Sequence, residues 1–236
     1  LKIKELKKSF GDNHVLNGFS MELYEGENLV IMGKSGSGKS VMIKCLVGLM
    51  QADSGFIEIE GKNLAELKQQ ELNSLRTEIG FLFQGSALYD SMTVRENLEF
   101  PLRKRNINAA DKEIMVTSTL ESVGLKSAID LMPEELSGGM KRRVALARAL
   151  ILKPKIIIYD EPTTGLDPIT AKEIIELMKD IQLKYRTSSL IITHDIDCAR
   201  VISNRMILLI DGINYAEGTF NELLAAKDKK IQAIFK

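Results

Sequence analysis

Gly33-Lys34-Ser35-Gly36-Ser37-Gly38-Lys39-Ser40 fits G-x-x-x-x-G-K-[ST], a pattern that could cradle a chain of phosphates. Its glycines let the backbone wrap closely and turn N–H groups inward, making a nest for anions. A helix starting after Gly38 would add its positive end. Lys39 would reach the β- and γ-phosphates of a nucleotide, and the Ser40 hydroxyl would bind Mg²⁺. Asp160 and Glu161 end an apolar run. Asp160 could hold the Mg²⁺ shell, and Glu161 could accept a proton from an attacking water. Two adjacent acids after a strand are also an ordinary helix cap. His194 closes another apolar run; alone it would be structural, and beside the others it is a candidate γ-phosphate contact. Gln84 ends a third run, where a side chain can point at a ligand, although a lone glutamine is usually a surface residue. Ser137-Gly138-Gly139 reads as a capped helix start, or as a second anion-binding helix N-terminus with bare backbone N–H groups. Phe10 suits either a small core or a platform on which adenine stacks.

These side chains need elements to hold them. Residues 28–32 read as a buried strand entering the phosphate pattern, and 41–49 as the helix leaving it. Upstream, 1–6 and 15–23 alternate as strands, with turns at Gly11-Asp12-Asn13 and Glu25-Gly26-Glu27. A short strand is expected over 55–61. Apolar strands over 79–83, 155–162 and 190–195 carry Gln84, Asp160-Glu161 and His194. Residues 93–125 and 137–152 read as helices. Asp111 is expected to cap 112–123 with Gly124 ending it, and Ser137 to cap 138–152. A further helix is expected over about 168–184. A hairpin of 205–210 and 213–216 should turn at Asp211-Gly212, and 219–226 should form a short helix. The tail 227–236 is basic and weakly amphipathic. Strands alternating with helices predict an α/β core, interrupted at about 87–152 by a mostly helical insertion.

Lys and Arg number 32, as do Asp and Glu, so the formal net charge is zero. That balance weighs against nucleic acid as the main partner. A chain of 236 residues can bury a full core in one or two domains. Cys45 and Cys198 lie in apolar helical contexts without metal-ligand spacing and are expected as buried free thiols in a reducing compartment. There is no signal peptide and no apolar run of about 18 residues, so the chain is expected to be soluble and not to span a membrane by itself. Numbering begins at Leu1 without a Met, so a few residues are expected to precede it.

Taken together, the motifs resemble the nucleotide-binding subunit of an ABC transporter, in family order over essentially the whole chain. Gly33 to Ser40 match the Walker A loop, and Phe10 fits the aromatic A-loop. Gln84 matches the Q-loop and Leu136-Ser137-Gly138-Gly139-Met140 the signature. Residues 156–160 with Glu161 match Walker B and its catalytic glutamate, Gly165-Leu166-Asp167 the D-loop, and His194 the switch histidine. The resemblance implies a RecA-like P-loop NTPase core with an antiparallel β subdomain, over about 1–86 and 153–226, and a helical subdomain over about 87–152. It implies ATP and Mg²⁺. ATP would be bound by Phe10, Gly33, Lys34, Ser35, Gly36, Ser37, Gly38, Lys39, Ser40 and Val41, and Mg²⁺ by Ser40, Gln84 and Asp160. Glu161, His194 and Gln84 would be catalytic. Ser137, Gly138, Gly139 and Met140 would act in trans across a head-to-tail homodimer, with Asp167 in the D-loop.

The signature usually ends in Gln, and here it ends in Met140. Ser137 and the backbone N–H groups can still bind phosphate, so activity is expected to survive. Met140 and the run Phe83-Gln84-Gly85-Ser86-Ala87-Leu88-Tyr89-Asp90-Ser91-Met92-Thr93-Val94-Arg95-Glu96-Asn97, followed by Phe100-Pro101-Leu102-Arg103, are similar to the Mla/Mkl group. Subunits of that group pair with MCE-domain proteins in bacterial phospholipid trafficking. The likeness implies lipid transport driven by dimer closure at the cytoplasmic face of the inner membrane. Its partners would be integral membrane permease subunits and an MCE-domain or other substrate-binding protein. Leu88, Tyr89, Met92, Val94 and Leu98 would either touch those subunits or pack the insertion's own core. A Met in this slot also occurs in glycine-betaine-type importers, so an osmoprotectant or amino-acid-type importer is the alternative. A repair or translation ABC ATPase would carry long insertions or tandem cassettes, and this chain has neither. A kinase or GTPase leaves the signature unexplained and lacks Asn-Lys-x-Asp. A dead module is at odds with intact Lys39, Glu161 and His194.

Overall fold

Alternating apolar residues build the first strands of the computed structural model, which describes residues 1–235. Strand β1 (Lys2–Phe10) turns at Gly11-Asp12 into β2 (Asn13–Glu22), with Phe10 paired to Asn13. Both strands run farther than their alternation suggested, because cross-strand pairing carries polar residues that have no apolar pattern of their own. After β3 (Asn28–Met32) and α1 (Lys39–Leu46), β4 (Ser54–Ile59) returns to pair with β1, Ile3 opposite Ile57. β5 (Lys62–Asn63) completes an antiparallel sheet ordered β2-β1-β4-β5. At the irregularity in β1, Glu5 has φ 47° and Gly55 lies so close that a Cβ would meet Leu6 Cα at 2.6 Å. Only glycine fits that approach. Helix α2 (Gln69–Arg76) has no counterpart among the expected elements. Its Arg76 donates to the Val47 and Gly48 carbonyls at 3.0 and 2.8 Å, closing the end of α1.

The chain divides into two compact units, Leu1–Arg76 with the chain from Ser188 onward, and Thr77–Thr187. The second opens with β6 (Ile79–Leu82). Where one helical stretch was expected over 93–125, α3 (Val94–Glu99) stops before Pro101, a 3-10 turn follows, and α4 (Ala109–Ser122) starts afresh. Proline lacks the N–H that a continuing helix needs. The cap of α4 is Asn108, not Asp111: the Asn108 side chain accepts from the Asp111 N–H at 2.8 Å. Asp111 sits in the first turn instead, its carboxylate accepting from Asn108 at 2.7 Å. Gly124, at φ 72°, ends α4 as expected. Ser137 caps α5 (Gly138–Leu150), also as expected. β7 (Ile156–Asp160) pairs in parallel with β6, and α6 (Pro168–Tyr185) follows. Val94, Leu98, Leu102, Val116, Leu120 and Leu146 are fully buried, so Val94 and Leu98 belong to this unit's core, whereas Tyr89 is exposed.

Back in the first unit, β8 (Ser188–Ile192) lies parallel to β3 and ends before His194. It is followed by α7 (Ile196–Ile202), which Asp195 caps and which carries Cys198 in the apolar helical context expected for it. β9 (Arg205–Ile210) is parallel to β3 on its other side, and β10 (Ile213–Gly218) returns antiparallel through Asp211-Gly212. Within this unit the order is β10-β9-β3-β8. α8 (Phe220–Leu224) carries a capping box of Thr219 and Glu222. α9 (Lys229–Gln232), capped by Asp228, gives the tail an element of its own. Arg205 pins β9 to the entry of β3 by a bidentate pair with Glu27, at 2.7 and 2.8 Å. Cys45 and Cys198 are buried and unpaired with each other. Among the described residues no helix is long and apolar enough to cross a membrane.

Candidate functional site

The phosphate pattern folds as its residue types require. All five residues of β3 are buried, and the chain leaves the strand into Gly33. A Cβ on Gly33 would meet Leu209 O and Ser37 Oγ, each at 2.6 Å, so only glycine lets the loop close there. Gly36 and Gly38 hold φ 80° and 102°. Gly38 is also the N-cap of α1 and has no side chain to cover the first-turn N–H groups. Lys39 Nζ donates to the Gly33 and Lys34 carbonyls at 2.6 and 3.0 Å, which brings its ammonium over the loop. Ser37 Oγ is buried without a hydrogen-bond partner among the described residues. Glycine-only turns, bare helix N–H groups, a central ammonium and a buried unpaired hydroxyl are what a triphosphate needs, so the residues present fit that group. Ser40 is exposed and Val41 half-buried.

A cavity of about 690 Å³ opens beside this loop. Residues 34–37, 13–15 and 209–212 line it, together with Lys229 and Lys230 of α9. That size suits a small-molecule ligand. Phe10 does not line it; it stands 49% exposed at the β1–β2 turn with Lys8 Nζ 5.6 Å from its ring. Ile31 pairs with Ile192 across β3 and β8, so Gly33 and His194 leave adjacent parallel strands at the same edge. His194 is exposed in the loop before α7.

In the second unit Leu82 pairs with Tyr159, so Gln84 and Glu161 lie two residues past paired positions of parallel strands. Gln84 is exposed and Asp160 half-buried. Glu161 is 8% exposed and holds φ 51°, a left-handed conformation that costs a non-glycine residue about 1–3 kcal/mol. Such strain persists only where the surroundings impose it. The Thr164 hydroxyl donates to Glu161 Oε2 at 3.1 Å and the Thr164 N–H to the Glu161 carbonyl at 3.3 Å, closing a turn around the carboxylate. The acid pair is therefore not the cap of α6. That role falls to Asp167, which accepts from the Ile169 and Thr170 N–H groups at 3.0 Å each. Hydrogen bonds from the Thr170 side chain and backbone hold the Asp167 carboxyl below the usual carboxylate range. No group of three or more His, Cys, Asp or Glu among the described residues could hold a metal by itself.

At the start of α5 the Ser137 hydroxyl accepts from the Met140 N–H at 3.2 Å. Ser137 and Gly138 are exposed. Gly139 has a packing role: a Cβ there would meet Thr170 Cγ2 at 2.6 Å. Two residues escaped the sequence reading. Arg142 is 4% exposed, and Arg148 donates to the Ser86 carbonyl at 3.1 Å with its guanidinium 5.6 Å from the Tyr89 ring. Basic residues on a capped helix read as a solvated face, and nothing local says otherwise.

A family model for the ABC transporter matches residues 16–164. The chain is 38% identical, over 92% of its length, to the methionine import ATP-binding protein MetN of Brucella abortus, and spans 59% of that protein. It is 39% identical to MetN of Campylobacter jejuni, covering 98% of this chain and 74% of that one. The chloroplastic protein trigalactosyldiacylglycerol 3 of Arabidopsis thaliana is 36% identical over 98% of this chain and 72% of its own. The expected likeness to the Mla/Mkl group is thus not what these relatives' names bear, and the two bacterial ones are methionine importers' subunits. Among solved structures, the dimeric ATP-binding cassette MJ0796 bound to ADP and Pi superposes with a TM-score of 0.83 at 33% identity, over 93% of this chain and 98% of that one. CbiO1 of Clostridium perfringens, part of the transporter complex cbiONQ, gives a TM-score of 0.88 at 29% identity, over 100% and 94%. From the loop that fits a triphosphate, the match over residues 16–164 and this agreement in fold, the chain belongs to the ABC transporter family as an ATP-binding cassette of the P-loop ATPase fold.

Proposed function

We propose that the chain is the ATP-hydrolysing subunit of an ABC importer for an amino-acid-type solute, with methionine the first candidate. The observation that carries the substrate is the 38–39% identity to two methionine import proteins over 92–98% of this chain. MgATP is the substrate of the cassette. The loop N–H groups and Lys39 would bind its phosphates. Ser40, Gln84 and Asp160 would bind Mg²⁺, which neutralises charge on the phosphates. Glu161 would take the proton of the attacking water, and His194 would meet the γ-phosphate. Ser137, Gly138, Gly139 and Met140 would serve the nucleotide of a second copy, so two head-to-tail chains make two composite sites, with Asp167 at the contact. The dimer would work peripherally at the cytoplasmic face of the inner membrane, against permease subunits, with a substrate-binding protein delivering the solute.

A second reading keeps phospholipid as cargo and an MCE-domain protein as partner. It is favoured by the stretch from Phe83 to Arg103 and by the Arabidopsis relative named for a galactolipid. Tagged chain purified with its membrane partners separates the two. A methionine-binding partner and lost uptake of labelled methionine on deletion support the first, and an MCE-domain partner the second. No integral membrane partner at all refutes transport. For the chemistry, Glu161→Gln should keep MgATP binding and slow hydrolysis by about 10²–10⁴-fold. Unchanged turnover would remove Glu161 from its role.

A further inference from the structure

Arg142 is a buried cation for which neither core packing nor charge pairing accounts. It is 4% exposed, in the second turn of α5, and no carboxylate pairs with it among the described residues. Burial pushes its guanidinium below the usual arginine range, with no neighbouring acid to offset this. Its Nη1 donates to the Phe83 carbonyl at 2.9 Å and its Nη2 to the Thr164 carbonyl at 3.1 Å. Its Nε has no partner among the described residues. An apolar side chain of similar length would fill the same space without the desolvation cost, so a stability role alone favours Met or Leu here.

The two acceptors are not arbitrary. Phe83 immediately precedes Gln84. Thr164 is the residue whose hydroxyl donates to Glu161 Oε2 and whose N–H closes the turn on the Glu161 carbonyl. Glu161 sits at φ 51°, so its turn must be held from outside. The segment after Gln84 is strained as well, with Ser86 and Ala87 at φ 61° and 48°, and Arg148 holds its Ser86 carbonyl from the same helix. A planar guanidinium fork fixes two diverging carbonyls at once, which a lysine ammonium on a flexible stem does not.

We propose that Arg142 is a positioning residue that ties the signature helix α5 to the Gln84 segment and, through Thr164, aims the Glu161 carboxylate. The proposal rests on the reading of Glu161 as the water-activating base. It places a coupling element inside a single chain: a shift of α5 moves the carbonyls flanking Gln84 and the turn that carries Glu161 together.

The test uses the purified full chain, with steady-state ATPase, binding of a fluorescent ATP analogue and thermal melting. Arg142→Met should lower kcat by about 10- to 100-fold, the effect of a slightly misplaced catalytic group. KM for MgATP should stay within about twofold. Arg142→Lys should recover part of the rate only, and Thr164→Val should lower kcat with Arg142 intact. In the Glu161→Gln background, Arg142→Met should cost nothing further, because both act on one group. Wild-type kcat in Arg142→Met, a KM rise at unchanged kcat, or a full multiplicative loss in the double variant overturns the proposal. Should Arg142→Met fail to fold, Arg142→Lys and Thr164→Val carry the test, and wild-type kcat in both overturns it. Wild-type turnover by Glu161→Gln sinks the parent reading. An inactive Glu161→Gln beside a fully active Arg142→Met sinks the clamp alone.

Discussion

Substituting Gly139 by alanine separates two reasons for a glycine at the start of α5. If the residue serves only to leave backbone N–H groups bare, a methyl group should be tolerated by the fold. The structure says otherwise, because the new Cβ would lie 2.6 Å from Thr170 Cγ2. Carbon atoms settle at about 3.5–4.0 Å, so the overlap is near 1 Å. Thr170 is β-branched and lies in the first turn of α6, where its χ1 has little freedom. Its side chain also hydrogen-bonds Asp167, so rotating the methyl away strips that contact from the cap. Overpacking of this kind costs about 1–3 kcal/mol. Alanine's better helix propensity returns up to about 1 kcal/mol. The net loss lies between about zero and 3 kcal/mol, or up to about 12 °C in Tm for a chain of this size. Thr170→Ser removes the offending methyl and keeps the hydroxyl, so Gly139→Ala/Thr170→Ser should melt near wild type and recover ATPase activity with it. A Gly139→Ala protein more stable than wild type, or a double variant no better than the single, would refute the packing argument.

Other outcomes are as specific. Arg205→Ala leaves the largely covered Glu27 carboxylate without its bidentate partner and should cost about 2–3 kcal/mol in urea denaturation, below the ~3–5 kcal/mol of a fully buried pair. A loss within the range of a surface ion pair, under about 1 kcal/mol, would contradict that estimate. Lys39→Ala should weaken MgATP binding by about 1.5–3 kcal/mol, measured by titration, and unaltered affinity would undo the loop assignment. Asp167 and Asp228 have folded-state pKa values below their unfolded ones, Asp167 by the Thr170 hydrogen bonds and Asp228 by the Ile231 N–H. Their contribution is present above the unfolded carboxylate pKa and is lost as pH falls through the depressed values. Melting temperature should therefore drop as the solution is acidified below the unfolded carboxylate pKa, and less steeply in Asp167→Asn, which still caps α6. An identical acid limb in that variant would rule Asp167 out as a contributor.

Local chemistry explains where the sequence was legible. Gly38 before α1, Ser137 before α5, Gly124 after α4 and the Asp211-Gly212 hairpin each act over three or four residues, so their neighbours carry the whole signal. Where two residues could do one job the signal was degenerate, as with Asn108 and Asp111 at the start of α4. Short α2 escaped because a helix of eight residues has little periodicity to display.

Residue types and spacing by themselves determined the glycine-rich strand–loop–helix whose residues fit a triphosphate, the acids and histidine at strand tips, and the α/β class. Tertiary structure alone decided that Glu161 is held in a left-handed turn by Thr164, that Gly139 makes room for α6, and that Arg142 is buried against two carbonyls. Each of these depends on backbone from elsewhere in the fold: residues 83 and 142 are 59 positions apart, and no pattern along the chain records which carbonyl a guanidinium will meet.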